Sequence, residues 1–329
     1  MSRTLSFSEA TLEAMQEEMR RDDLVFVMGE DIAKQGGIFG QFKGLPQEFG
    51  VERVRDTPIS EAASVGAGVG AALTGTRPVV DMHFADFITC AMDEVVNQAA
   101  KLRYMFGEQC SVPLVLRAPD GIVKSAAAQH SQSLEAWFVH VPGLEIVVPA
   151  DPEDAKGLLK SAIRSQNPTL YFEHKVLFAQ TGLVPDDDDF LIPIGRAKTM
   201  RDGTDVAIVS YGITVGRALA AADELEREGI SALVLNLRTL WPLDLDSIAQ
   251  AVARTHRLVV AHEAVRTGGV GAEIAAFAAE SCFDELDAPI VRLGAAHVPV
   301  PFAPALQEAI YPKAPAIADA ARRLVRNQT

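Results

Sequence analysis

Residues 205–237, DVAIVSYGITVGRALAAADELEREGISALVLNL, contain one complete repeat of the pattern that decides the fold class. The run DVAIVSYG is typical of a buried strand, and the stretch that follows has helical spacing until Gly229 ends it. SALVLNL then predicts a second buried strand. Strand, helix and strand in this order predict an α/β sheet protein.

The same alternation runs through the rest of the chain. Four strands and three helices follow residue 205 within about 100 residues, which is enough for a self-sufficient domain. The main predicted strands are 23–28, 77–82, 112–117, 169–172, 205–212, 231–237, 257–263 and 289–294, and the main predicted helices are 7–21, 61–73, 85–104, 130–139, 152–165, 215–228, 247–253 and 271–281.

An acidic stretch separates the two series of elements. PDDDDFLIPIGRA, which begins at Pro185, contains four consecutive aspartates. Like charges in a run repel one another and stay in water, so this stretch is typical of a solvated linker. We therefore predict a first domain at residues 1–184, an acidic linker at 185–195 and a second domain at 196–329.

The composition argues against several classes of protein, including nucleic-acid-binding, disulfide-rich and membrane-spanning proteins. Among 329 residues, 44 are acidic and 30 are basic, and this formal charge of −14 argues against nucleic-acid binding. The three cysteines lie far apart, which fits a reducing cytoplasm better than a disulfide framework. The chain begins without a signal-peptide pattern and contains no run of about 18–20 apolar residues. We expect a cytoplasmic protein with neither nucleic acid nor a membrane as partner.

One glutamate stands out. In residues 56–75, DTPISEAASVGAGVGAALTG, Glu61 is followed by fourteen uncharged residues. It could simply cap the helix, with Thr57 as N-cap and Pro58 in the first turn. Alternatively, a helix of such small residues is buried on nearly all sides, and its terminal carboxylate would then be desolvated enough to share a proton. The residues alone leave both interpretations open.

Glycines and one histidine give further candidates. Gly66, Gly68 and Gly70 lie within a predicted helix, where they favour close helix packing. The GGxG at 268–271 precedes a helix whose N-terminus could bind an anion, although neither set matches the dinucleotide-binding GxGxxG. His130, in AAAQHSQ, has polar neighbours that can fix its tautomer, as an acid/base histidine requires; a structural histidine is the alternative.

A series of motifs runs in order along essentially the whole chain. They include GED (29–31), RVRDTPISE (53–61), ADF (85–87), AQHSQS (128–133) and PVPF (299–302). In these motifs the chain resembles β subunits of the E1 component of 2-oxoacid dehydrogenase complexes, which are thiamine diphosphate-dependent and transketolase-like. This resemblance implies a pyrimidine-binding domain followed by a transketolase C-terminal domain.

The resemblance also implies roles for individual residues. Glu61 would hydrogen-bond N1′ of the cofactor's aminopyrimidine and promote removal of the thiazolium C2 proton. Phe87 would stack on the aminopyrimidine, and His130 would act in acyl transfer to lipoamide. His83 would be a pocket residue at a position where relatives vary.

The resemblance further implies partners and ions. The chain lacks the GDG motif and the later NN pair that hold the diphosphate and Mg²⁺ in this superfamily. An E1 α subunit would supply that half of the site, with most of the Mg²⁺ binding, in an α2β2 tetramer. Relatives also bind a structural K⁺ in a loop like Ala162–Asn167, with backbone oxygens of Ala162 and Asn167 as ligands here. Ser165 replaces the aspartate of that loop.

The function implied is that of an oxidoreductase subunit. It would cleave a 2-oxoacid such as pyruvate, or acetoin, and pass the acyl group to the lipoyl acyltransferase E2. The first alternative is the C-terminal half of a split transketolase, but the chain shows no cluster of arginines and histidines for a sugar phosphate. A nucleotide-binding protein and a non-catalytic interaction subunit, in which Glu61 only caps a helix, are further alternatives.

Overall fold

The computed structural model describes residues 2–327, which group into two compact units. Unit 1 comprises the chain up to Asp120 together with Trp137–Ile194. Unit 2 comprises Gly121–Ala136 together with the chain from Gly195 onward. The second unit therefore takes in a short piece of chain from within the first. The domains 1–184 and 196–329 with the linker 185–195 stay a prediction.

Unit 1 is an α/β unit. Its elements are β1 (Ser2–Ser6), α1 (Phe7–Arg21), β2 (Val25–Gly29), α2 (Leu45–Phe49), β3 (Val54–Asp56), α3 (Glu61–Leu73), β4 (Arg77–Asp81), α4 (Ala100–Met105), β5 (Val115–Asp120), α5 (Glu135–Val139, which begins in unit 2), β6 (Glu145–Val147), α6 (Pro152–Arg164), β7 (Thr169–His174) and β8 (Thr181–Pro185). Two 3₁₀ helices, Ala85–Ala91 and Lys175–Ala179, and one π helix, Glu94–Ala99, complete it.

Six strands of unit 1 run parallel in the order β6-β7-β5-β4-β2-β3. β4 and β5 are buried over almost their whole length, as expected for a sheet covered by helices. The main core packs Met15 and Met19 of α1 and Leu158 and Ile163 of α6 against the sheet. β1 pairs antiparallel with β8 in a separate two-stranded sheet.

The acidic stretch after β8 is bound to unit 1 through its backbone. Its aspartate side chains are exposed, as predicted for a solvated run. However, the buried Lys156 donates to the carbonyl of Pro185 at 3.4 Å, and Lys160 donates to that of Asp188. Ile192 is buried, and its N–H donates to Gly157 O at 3.2 Å. The stretch is consequently part of the packed unit rather than a free tether.

Two predicted helices are shorter or different in type. The predicted helix 85–104 is divided into 3₁₀, π and α segments. In its π segment, Asn97 and Gln98 both donate to the carboxylate of Asp93, at 2.7 and 3.3 Å. The second bond spans five residues, which matches the wider π turn. The predicted helix 130–139 is helical only from Glu135, because the carbonyl of Gln132 accepts from Gly121 N instead of from a helical neighbour.

Unit 2 is a second α/β unit. Its elements are β9 (Lys198–Arg201), β10 (Val206–Ser210), α7 (Ile213–Glu226), β11 (Ala232–Asn236), β12 (Thr239–Trp241), α8 (Leu245–Thr255), β13 (Leu258–Val265), α9 (Gly271–Ser281), a 3₁₀ turn (Phe283–Glu285), β14 (Val291–Ala295), α10 (Pro304–Ile310) and α11 (Ala314–Val325).

The sheet of unit 2 has the order β14-β13-β10-β11-β9. The first four strands are parallel, and β9 adds an antiparallel edge strand. The core lies where α7 and α11 cover this sheet, with small residues such as Ala218, Ala221 and Ala321 at the contact. In residues 2–327, no helix is long and apolar enough to cross a membrane.

Candidate functional site

The N-terminus of α3 follows directly from the end of β3. β3 ends at Asp56, and Thr57 N donates to Gly29 O at 2.9 Å, which ties the linking residues to the end of β2. α3 begins at Glu61 after Ser60, whose side chain makes no capping hydrogen bond. Thr57 lies outside the helix and is not its N-cap. The part of the capping interpretation that made Thr57 the N-cap is therefore wrong, whereas Glu61 does lie in the first turn, where the helix dipole favours a carboxylate.

The Glu61 carboxylate is half-buried in the first turn of α3. Within residues 2–327 it has neither a hydrogen-bond donor nor an ion-pair partner. Its charged neighbour is Glu30. The pKa of Glu30 is raised overall, mainly by burial and also by the charge of Glu61, while the nearby His83 partly opposes the rise. A carboxylate that is partly desolvated and unpaired is suited to an external donor, such as a ring nitrogen of a ligand.

Glu30 is a member of the site that the sequence reasoning missed. Its carboxylate oxygen Oε2 lies 3.2 Å from His83 Nδ1, and its carbonyl oxygen lies 3.0 Å from His83 Nε2. Both side chains are largely shielded from solvent, with exposures of 14% and 18%. The available signal was the GED motif immediately after β2, because residues that follow parallel strands meet at one edge of the sheet.

Phe87 is held in an aromatic cluster near His83. It lies in the 3₁₀ helix that follows β4, half-buried, and meets Phe84 edge-to-face with centroids 6.0 Å apart. Phe84 in turn contacts Phe39, and Lys175 Nζ lies 5.1 Å from its ring centroid. Three neighbouring parallel strands of unit 1 are followed by Glu30, Glu61 and His83. The carboxyl-terminal edge of that sheet therefore carries the predicted residues Glu61, His83 and Phe87.

A buried ion cluster fixes the same edge of the sheet. Arg117 of β5 is completely buried and donates to Asp81 at the end of β4 at 2.5 Å, and it also pairs with Glu173 of β7. Burial raises the pKa of Asp81 and of Glu173, while the guanidinium of Arg117 opposes the rise. These contacts join β4, β5 and β7, so the loop that carries His83 directly follows a strand end, Asp81, that is held by an ion pair.

α3 buries only one face within this chain. Val65, Gly68 and Val69 face the sheet, and a Cβ on Gly68 would lie 2.6 Å from Val80 Cγ2. An opposite stripe, Ala63, Ala67 and Gly70, is exposed. The expectation of a helix buried on nearly all sides is wrong for the chain by itself, because the helix presents this small-residue stripe at its surface.

His130 lies in unit 2, on the segment Gly121–Ala136, and is half-buried. The neighbouring Ser131 is buried. A cavity of about 380 Å³ lies against this segment, between Ala128 and Leu134 on one side and Val265 and Val298 on the other. His130 and the trio Glu61, His83 and Phe87 are therefore carried by different units.

The GGxG glycines serve packing in unit 2. The imidazole of His262 is fully buried, and Cβ atoms on Gly269 or Gly271 would lie within 2.8 Å of it. A Cβ on Gly294 would likewise lie 2.8 Å from the same ring. Burial lowers the pKa of His262 to about 4, so that the ring is neutral. Packing against this ring explains Gly269 and Gly271, and Gly268 has a φ angle of 70°, which favours glycine.

The loop Ala162–Asn167 binds a positively charged side chain from outside the loop. Arg77 Nη1 donates to the carbonyls of Ile163 and Ser165, at 3.0 Å each. The hydroxyl of Ser165 and the side-chain amide of Asn167 donate to the carboxylate of Glu145, both at 2.9 Å. The arrangement does not fit a K⁺ ion, because a guanidinium occupies the neighbouring backbone oxygens. Among residues 2–327, no group of three or more His, Cys, Asp or Glu could hold a metal.

Comparison with known proteins gives a consistent result. Residues 3–180 match the transketolase pyrimidine-binding domain, and residues 195–317 match the transketolase C-terminal domain. The chain is 46% identical to the 2-oxoisovalerate dehydrogenase subunit beta of Bacillus subtilis, over 92% of this chain and 93% of that protein. It is 44% identical to the pyruvate dehydrogenase E1 component subunit beta of Rhizobium meliloti, over 97% and 69%.

A third relative and a solved structure extend the comparison. The acetoin:2,6-dichlorophenolindophenol oxidoreductase subunit beta of Cupriavidus necator is 45% identical over 99% of both chains. A split-gene transketolase, described as an inactive β4 tetramer, has a TM-score of 0.80 and 24% identity over 99% of both chains. The structural likeness shows the shared fold.

Proposed function

This chain belongs to the family of E1 β subunits of 2-oxoacid and acetoin dehydrogenases, with the transketolase-like fold, and we propose that it works as the β half of such an enzyme. Acting with an α subunit, it would cleave a 2-oxoacid or acetoin and pass the acyl group to lipoyl-E2. The observation that carries this proposal is the Glu61 carboxylate, which is half-buried and unpaired within residues 2–327.

The residues of unit 1 fit the pyrimidine end of thiamine diphosphate. Glu61 would hold a proton between its carboxylate and N1′ of the aminopyrimidine, and Phe87 would offer a ring face to that heterocycle. The paired Glu30 and His83 would line the same side of the site. When bound, the cofactor supplies the nucleophilic carbon and the electron sink for C–C cleavage. In unit 2, His130 would hold the proton exchanged during acyl transfer to lipoamide.

We propose the following partners and surroundings. An E1 α subunit would complete an α2β2 tetramer and hold the diphosphate and most of the Mg²⁺ coordination. The predicted domains, residues 1–184 and 196–329 with the linker 185–195, would divide the work into pyrimidine binding and subunit association. The compartment would be the cytoplasm. We propose no K⁺ ion, because the guanidinium of Arg77 already binds two carbonyls of the loop that would hold it.

The test uses the chain co-expressed with its α subunit and supplied with thiamine diphosphate and Mg²⁺. Dye reduction is measured in parallel with pyruvate, branched-chain 2-oxoacids and acetoin. We expect activity to require both chains and to favour one substrate. A stable cofactor-loaded complex that is silent with every substrate would overturn the proposal.

Replacing Glu61 tests the residue that carries the proposal. We expect Glu61→Gln to lower turnover by about 10²–10⁴-fold, because the amide cannot exchange the proton with the pyrimidine ring. Assembly with the α subunit should stay intact. Glu52→Gln, at an exposed carboxylate 90% accessible to solvent, is the matched control and should keep full activity. If Glu61→Gln kept the wild-type turnover, Glu61 would have only a structural role.

A further inference from the structure

The segment Gly121–Ala136, which carries His130, has little secondary structure of its own. Only its last two residues belong to a helix. Ser125 and Ala127 have φ angles of 58° and 60°, in the left-handed region that is unfavourable for residues with a Cβ. A segment with this backbone keeps its conformation only if contacts from other elements hold it.

Glu263 holds the beginning of the segment. Its Oε1 accepts a hydrogen bond from Ile122 N at 2.7 Å, and its Oε2 accepts one from Arg217 Nη2 at 2.6 Å. Glu263 is only 5% exposed, and the guanidinium of Arg217 stacks on Tyr311 at 4.3 Å. Since both carboxylate oxygens are engaged, the Ile122 backbone is bound to a fixed acceptor.

Gln307 of α10 holds the next turn of the segment. Its side-chain amide donates to Val123 O at 3.2 Å and accepts from Ser125 N at 3.1 Å. Gln307 is 3% exposed, so water does not compete easily for these bonds. A single side chain thus clamps a backbone acceptor at Val123 and a backbone donor at Ser125, the first of the two strained residues.

Tyr211 holds the end of the segment. Its hydroxyl donates to Glu135 Oε1 at 2.7 Å, and its ring stacks on His262 with centroids 5.8 Å apart. Burial raises the pKa of Glu135, and the Tyr211 hydrogen bond favours its charged form. Gly121 N also donates to Gln132 O at 3.2 Å, which closes the segment on itself.

The cavity of about 380 Å³ beside the segment means that packing alone does not fix its middle. We propose that Glu263, Gln307 and Tyr211 are positioning residues that hold His130 in place for acyl transfer. The proposal rests on the function proposed for His130. Displacement of a reacting group by about 1 Å can cost on the order of 10²-fold in rate, so loss of one anchor should be visible in that step.

The first experiment measures two reactions of the α2β2 holoenzyme: dye reduction, and acylation of a lipoyl domain. Tyr211→Phe removes the hydroxyl and keeps the ring on His262. We expect its kcat for lipoyl acylation to fall about tenfold more than its kcat for dye reduction, with little change in the KM for the lipoyl domain. Ser210→Ala is the matched control, because its buried hydroxyl donates to Ala261 O at 2.8 Å and not to the segment. It should leave both reactions unchanged.

The second experiment repeats Tyr211→Phe in a His130→Ala background. If Tyr211 acts through His130, the additional loss should disappear, since a misplaced imidazole and a missing one are equivalent. An equal loss in both backgrounds would overturn the proposal. If His130→Ala itself leaves lipoyl acylation unchanged, the role of His130 in the proposed function fails.

Hydrogen exchange of the segment separates these failures and keeps the proposal testable without activity. In Gln307→Glu, which keeps the acceptor for Ser125 N and loses the donor to Val123 O, the amides of residues 122–125 should exchange faster than in wild type. Ser210→Ala should show no such change. Unchanged exchange in both Gln307→Glu and Tyr211→Phe would show that these residues do not anchor the segment, whatever His130 does.

Discussion

At the scale of single residues, His262 shows how a buried histidine is kept neutral. At three neighbouring glycines a Cβ would collide with its ring, and its Nδ1 lies 3.0 Å from Ala264 O. Burial lowers the pKa to about 4 in the folded protein, whereas an unfolded histidine titrates near 6.5. The unfolded chain therefore binds a proton that the folded chain excludes between these two pH values.

This difference in pKa predicts a dependence of stability on pH. The contribution is complete above about pH 6.5 and is lost as the pH falls toward 4, with a change of about 2 kcal/mol between pH 7 and pH 5. Denaturant unfolding at the two pH values measures it. His262→Asn should lower stability at pH 7 but show a smaller loss on going to pH 5. An identical pH dependence in the variant would contradict the assignment.

The residue pattern pointed to Glu61 and His130 as candidates, and the resemblance added His83 and Phe87; the position of Glu61 explains why it could be found. A lone charge at the tip of an uncharged helix is visible in a linear sequence. By contrast, Glu30 bonds His83 from 53 positions away, and no local pattern could show that pairing. The roles of the four predicted residues in catalysis stay predictions.

At the scale of elements, α3 depends on one glycine and not on another. A Cβ at Gly68 would lie 2.6 Å from Val80 Cγ2, while a Cβ at Gly70 would meet nothing within 4 Å. Gly68→Ala should cost about 1–3 kcal/mol of stability through overpacking. Gly70→Ala should be neutral or gain up to about 1 kcal/mol through helix propensity. Urea unfolding of the isolated chain measures both effects on stability. Equal effects would contradict the tight packing of Gly68 against Val80.

The end of α6 depends on Arg77 in place of an ion. Removing a charged donor from two carbonyls leaves them poorly satisfied, so Arg77→Ala should lower the unfolding free energy by about 2–3 kcal/mol. The exposed Arg55 gives a control, since Arg55→Ala should change little. Replacing potassium chloride with choline chloride should leave the wild-type Tm unchanged. A rise in Tm specific to potassium would restore the ion at this loop.

Element type was predictable where hydrophobic periodicity was strong, as in β10, α7 and β11. It was not predictable in 85–104, because 3₁₀, π and α turns differ too little in their spacing for a hydrophobic pattern to distinguish them. β9 was missed because an edge strand of four residues, KTMR, carries no apolar run.

At the scale of the whole molecule, the exposed small-residue stripe of α3 is suited to close contact with another chain. We expect Ala67→Glu to abolish co-purification with the α subunit, because a buried unpaired carboxylate is costly at a tightly packed contact. The circular dichroism of the isolated chain should not change. Ala253→Glu, on the exposed face of α8, is the control and should still co-purify. Normal assembly of Ala67→Glu would remove the stripe from the interface.

The division of the chain into two units was only partly predictable. A linear sequence shows where an acidic stretch separates two series of elements, but not that Gly121–Ala136 groups with residues made much later. Ile122 bonds a side chain 141 positions further on, and Ser125 one 182 positions further on. Such partners are specified by tertiary structure alone.

This arrangement imposes an order on biosynthesis. Domains fold as units during synthesis, from the N-terminus onward. When the ribosome has completed residue 194, all six parallel strands of unit 1 exist, yet the histidine-bearing segment has none of its three anchors. The segment, with its strained residues Ser125 and Ala127, gains its last anchor only when α10, the second-last helix, has been synthesised. A nascent chain halted before Gln307 would therefore lack the clamp on Val123 and Ser125 and leave this stretch more open to protease than the finished chain does, although the strands of unit 1 are complete.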